Sequence, residues 1–98
     1  MNDEQPKVGE WIPVSERLPD EHDSIFAKLY GTDNWDSKFW RTVSDSVLVT
    51  IKYNDGTRIV HESHTRDGEW IDEKRNVYLK VEAWMPLPEP YKEKENDF

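Results

Sequence analysis

From Ser46 onward the side chains alternate. Val47, Val49, Ile51 and Tyr53 fall on one side, with Leu48, Thr50 and Lys52 on the other. A period of two over this length predicts a β-strand with one face turned to a core. Asn54-Asp55-Gly56 follows as a hairpin turn, and a return strand is predicted over about 57–65. A two-residue loop would set Ile51 opposite Val60. A three-residue loop with a bulge would set Ile51 opposite Ile59, and the choice reverses which side chains face inward. Asp67-Gly68 predicts a second tight turn, 69–72 a short third strand, and 78–84 a fourth. Met85-Pro86-Leu87-Pro88-Glu89-Pro90 then predicts an end to sheet pairing and an extended, polyproline-like strap, because proline has no N–H to give a ladder.

Before Ser46 the spacing lengthens. Ile25, Phe26 and Leu29 share one face of a helix predicted over 20–30, with Asp20 or Asp23 as cap and Gly31 as stop. Trp35, Phe39 and Trp40 do the same for a shorter helix over 34–43. Trp11-Ile12-Pro13-Val14 reads as an extended segment confined by Pro13 to a sheet edge or to no sheet. It is echoed by Trp84-Met85-Pro86-Leu87, so the two segments are expected to meet, each with its indole inside. The expected fold class is α+β: an antiparallel sheet of about four strands, one or two helices on one face, and the C-terminal strap. The expected core is Trp11, Ile25, Phe26, Leu29, Val47, Val49, Ile51, Trp70, Val81 and Trp84. Residues 10–90 form the expected single domain, between flexible tails at 1–9 and 91–98.

Composition narrows the function classes. Cysteine is absent from the 98 residues, which removes disulfides, thiolate metal sites and thiol nucleophiles. Apolar runs are too short to span a bilayer, and the charged N-terminus does not read as a signal peptide, so a cytoplasmic setting is expected. The net charge of −8 argues against direct binding to nucleic acid or to an anionic membrane. Much of that acidity lies in the end segments, and the remainder is mixed with Lys and Arg. An acidic inhibitor that mimics DNA is therefore a minor alternative.

Trp11-Ile12-Pro13-Val14-Ser15-Glu16-Arg17-Leu18-Pro19 and Trp84-Met85-Pro86-Leu87-Pro88-Glu89-Pro90 together resemble domain-of-unknown-function family 551, over roughly residues 10–92. His22-Asp23-Ser24-Ile25-Phe26-Ala27-Lys28, His64-Thr65, Asp67-Gly68 and Trp70 strengthen the likeness. Residues 31–44 look like an added segment. The resemblance implies a small domain with a phage or mobile-element history, and it assigns no catalytic residues.

Candidate chemistry is sparse. His61 and His64, with Asp67 nearby, could ligate a divalent metal or serve an enzyme. Residues three apart on a strand, however, point to opposite faces, and structural or surface histidines account for them more simply. No nucleophile elbow, phosphate-binding glycine loop or HExxH motif occurs, so no catalytic residue and no cofactor are assigned. Tyr30, Trp35, Phe39 and Trp40 are concentrated in the added segment. Exposed, they would form a patch for a protein partner; buried, they would merely dock the segment. The leading expectation is a non-enzymatic interaction module that binds protein through these aromatics or through a free sheet edge. Oligomeric state is not set by the sequence.

Overall fold

The computed structural model describes residues 7–93. The outermost parts of both expected tails, 1–6 and 94–98, lie outside the described residues. Two four-stranded antiparallel sheets make up most of the fold. The first is ordered β1 (Ile12–Pro13), β8 (Leu79–Pro86), β4 (Val47–Tyr53), β5 (Arg58–Ser63). The second is ordered β2 (Glu21–Asp23), β3 (Thr42–Ser44), β6 (Thr65–Arg66), β7 (Glu69–Trp70). One short helix, α1 (Ile71–Arg75), links β7 to β8 and packs beside β8.

The period-two region folds as its pattern requires. Val47, Val49 and Ile51 are buried, and the hairpin takes the three-residue form, with Ile51 opposite Ile59. Gly56, at φ +92°, completes the turn, while the Tyr53 N–H donates to the Thr57 carbonyl at 2.8 Å. The expected return strand divides at His64. Arg58–Ser63 stays in the first sheet, and Thr65–Arg66 enters the second. Asp67 (φ +49°) and Gly68 (φ +79°) then turn the chain into β7.

Strand β8 carries a bulge. Thr50 pairs with Ala83 and Ile51 with Val81, so Glu82 is the extra residue. The bulge shifts the side-chain phase by one, and Leu79, Val81 and Trp84 all become buried despite their uneven spacing. The strand continues to Pro86, opposite Val47. The sheet therefore takes in the first residues expected in the strap, while 87–93 have no regular structure. The two echoed segments meet, as Ile12 opposite Trp84 and Pro13 opposite Ala83. Two residues of β1 do not reach Val81, whose N–H donates instead to the Glu73 carboxylate of α1 at 2.8 Å.

Val47, Val49, Ile51, Trp70, Leu79, Val81 and Trp84 form the core, with Ile12, Val14 and Tyr53 packed against it. Other expectations need correction. The 20–30 segment is β2 and a 3-10 turn at Ala27–Leu29, not a helix; the 34–43 segment is a run of turns ending in β3. The expected strand over 69–72 stops at Trp70, where α1 begins. Trp11 and Ile25 are not core residues, at 39% and 80% exposure, because only Trp84 of the echoed pair turns inward and no helix buries Ile25. Phe26 and Leu29 are half-buried, outside the main core.

Candidate functional site

The region between β2 and β3 is held by side chains that close local turns. Ser24 Oγ donates to the Trp40 carbonyl at 2.5 Å and accepts from the Phe26 N–H at 3.0 Å. Thr32 Oγ1 donates to the Leu29 carbonyl at 2.6 Å and accepts from the Asn34 N–H at 3.2 Å. Asp36 accepts from the Lys38 N–H at 2.8 Å. Such Asx and Ser/Thr turns compete with helix formation, which is why the aromatic spacing here does not yield a helix.

These turns bring all four sequence-predicted aromatics into one chain of ring contacts. Tyr30 meets Trp35 edge-on at 5.0 Å, and Trp35 meets Phe39 at 5.6 Å. Phe39 stacks on Phe26 at 4.0 Å, and Phe26 meets Trp40 edge-on at 4.9 Å. Trp35, Phe39 and Trp40 are half-buried and Tyr30 is exposed. The cluster is thus neither a buried dock nor a fully exposed patch. Guanidinium groups cap its two ends, Arg41 over Tyr30 at 4.0 Å and Arg66 over Trp40 at 3.7 Å.

Beside Trp40 lies an open pocket of about 370 Å³, lined by Lys38, Phe39, Trp40, Arg66, Lys74 and Arg75 among others. Arg66 is fixed twice, by the Trp40 ring and by donation of its Nε–H to His64 Nε2 at 3.2 Å. Burial first, and then the Arg66 charge, holds His64 below the ordinary imidazole value, so it stays the neutral acceptor. Lys74 also reaches Glu69 at 3.3 Å. The carboxylate on the wall, Asp67, accepts from the Arg41 and Thr42 N–H groups, each at 3.0 Å, and from Thr42 Oγ1 at 3.3 Å. In a chain with 21 acidic and 13 basic residues, four cations gathered around a Trp is a local reversal of charge. Sequence reading missed it because Lys38, Arg66 and the Lys74-Arg75 pair come from three separate segments.

Glu21 ties β2 to β3 and β6. Its carboxylate accepts from Thr42 Oγ1 at 2.7 Å, Thr65 Oγ1 at 2.6 Å and the Gly68 N–H at 2.9 Å. Partial burial pushes this carboxyl up, but the three hydrogen bonds together outweigh it, and the net direction is down.

His61, His64 and Asp67 face different partners. His61 Nε2 lies 3.8 Å from Asp72, His64 accepts from Arg66, and Asp67 is engaged with β3. Among the described residues, no group of three or more His, Cys, Asp or Glu is arranged to hold a metal ion. His22 lies elsewhere, with Nε2 3.2 Å from Asp45 and Nδ1 3.2 Å from the Asp23 carbonyl. No helix among the described residues is long and apolar enough to cross a membrane.

No curated protein and no solved structure matches the chain. Residues 10–92 match the family model described as Protein of unknown function (DUF551).

Proposed function

For a chain that belongs to the DUF551 family, we propose a non-enzymatic protein-interaction module that grips an acidic segment of its partner. The supporting observation is the pocket itself, where Lys38, Arg66, Lys74 and Arg75 surround the half-buried Trp40 and Phe39. Interface hot spots favour Trp and Arg, and an arginine already ordered against an indole loses little freedom on binding a carboxylate. In this reading Trp40 and Phe39 supply apolar contact, and the four cations choose Asp or Glu side chains. Tyr30 and Trp35 extend the same aromatic ridge. The module would serve a phage or other mobile element in the cytoplasm.

The two other readings draw less support. His61, His64 and Asp67 are committed to separate neighbours. A phosphate-mimicking surface calls for dense charge of one sign, whereas this face gathers cations.

Titration of the protein with tryptophan-free peptides, following its own tryptophan fluorescence, tests the proposal. Acidic peptides should bind and perturb Trp40, while neutral peptides of the same length should not. Arg66→Ala should weaken binding by about tenfold or more, the loss typical of a hot-spot side chain. Lys38→Glu with Arg75→Glu, both exposed, should abolish the preference. Equal binding of acidic and neutral peptides, or affinity unchanged in these variants, would overturn it.

A further inference from the structure

The two edges of the first sheet are built differently. At one edge, β1 offers two residues, one of them Pro13, and such an edge gives an incoming strand little to pair with. At the other edge, β5 runs six residues, Arg58–Ser63, without proline and in unbroken register with β4. Every β5 residue except Ser63 is exposed, with Ile59 at 40% and Val60 at 60%.

The hydrogen-bond phase of this edge is fixed. Tyr53 and Thr57 form a bonded pair, so by alternation Ile59, His61 and Ser63 direct their backbone groups toward β4. Arg58, Val60 and Glu62 therefore direct theirs outward. An antiparallel partner must pair with those three residues. The edge is also its own charge complement. If two copies meet about a two-fold axis at Val60, then Val60 faces Val60, and Arg58 of each copy faces Glu62 of the other. Axes at Arg58 or Glu62 would bring identical charges together. Axes at Ile59 or His61, which also pair outward groups, would set Arg58 or Glu62 opposite Val60 and leave the Arg58–Glu62 charges unmatched. Among the described residues Glu62 has no ion-pair partner, while Arg58 leans away from the edge onto Glu82, at 2.7 Å and 3.3 Å.

We propose that the chain self-associates as a two-fold dimer through β5, pairing Arg58, Val60 and Glu62 of one copy with Glu62, Val60 and Arg58 of the second in one continuous antiparallel sheet. A symmetric interface of this kind is self-complementary and closes without forming fibres. It leaves the Trp40 pocket free, so its test is independent of peptide binding.

Sedimentation equilibrium over a wide concentration range reads the outcome. The wild-type chain should show a reversible monomer–dimer equilibrium. Glu62→Arg sets like charges opposite each other twice and should raise the dimer dissociation constant on the order of tenfold. Adding Arg58→Glu should restore association by exchanging the two charges. Val60→Pro removes an outward N–H and should eliminate the dimer; proline is tolerated at such an edge, and circular dichroism checks the fold. If Val60→Pro fails to fold, the charge pair decides alone. A chain that stays monomeric to about 1 mM, or a dimer indifferent to Glu62→Arg, would overturn the inference.

Discussion

The Trp84 indole N–H donates to the Arg17 carbonyl at 2.9 Å, a bond that spans 67 residues and joins the two end motifs. The Arg17 guanidinium also lies 5.8 Å from the same ring. Trp70, the other buried tryptophan, differs. Its indole nitrogen is buried with no hydrogen-bond partner among the described residues.

The two tryptophans should therefore respond differently to the same substitution. Trp84→Phe leaves the Arg17 carbonyl without its donor and opens a small cavity, at a cost of about 1–3 kcal/mol. Trp70→Phe removes an unpartnered buried N–H, which offsets part of the lost packing, and should cost about 1 kcal/mol less. Urea denaturation of both variants checks the order.

Asp67 combines a positive φ of +49° with a carboxylate that collects donors from Arg41 and Thr42. Asp67→Ala loses both the acceptor and the tolerance for that conformation, and should destabilise the protein by about 2–3 kcal/mol. Asp67→Asn keeps an acceptor oxygen and the same conformational tolerance, so its effect should be smaller, at about 1 kcal/mol or less. Thermal unfolding of the pair separates the two contributions.

The Glu21 carboxyl sits below its ordinary value of 4.5 in the folded chain. Its hydrogen bonds contribute stability that is fully present above 4.5 and is lost as pH falls through the lower folded value. Glu21→Gln should flatten the acid limb of the stability curve while lowering stability at neutral pH. Denaturant midpoints collected between about pH 3 and pH 6 would show it.

Two histidines should titrate on opposite sides of 6.5. The Asp23 carbonyl first, then the Asp45 carboxylate, raises His22; burial first, then Arg66, lowers His64. The His22 contribution is present below 6.5 and fades as pH rises through its folded value. For His64, stability holds above 6.5 and declines as pH falls from there toward its folded value. Imidazole resonances followed by NMR should resolve two curves displaced in these directions, and His64→Gln should remove only the lower one.

Where alternation was strong, the sequence was legible. Val47 to Tyr53 and the Asn54-Asp55-Gly56 turn located the central hairpin but left its register open between Ile59 and Val60 opposite Ile51, a choice that only the folded turn makes. Trp70, Val81 and Trp84 were correctly placed inside. The 20–43 region misled because Phe26, Phe39 and Trp40 do share a cluster, but one assembled by Ser24, Thr32 and Asp36 turns instead of a helical face. Helix α1 escaped because five polar-rich residues carry no readable period. The four aromatics were visible as candidates; the cations that complete their pocket come from distant segments and meet only after folding.

The extra residue at Glu82 has a consequence for how this domain can vary. Inside β8 the spacing from Val81 to Trp84 acts as a one-step phase adjuster between two halves of a strand. Changing the identity of Glu82 should perturb mainly its contact with Arg58, whereas deleting it would rotate either Leu79 and Val81 or Trp84 out of the interior. Among functional descendants of this chain, residue 82 should thus be free to mutate but not to disappear, and insertions should collect instead in the loop between β2 and β3.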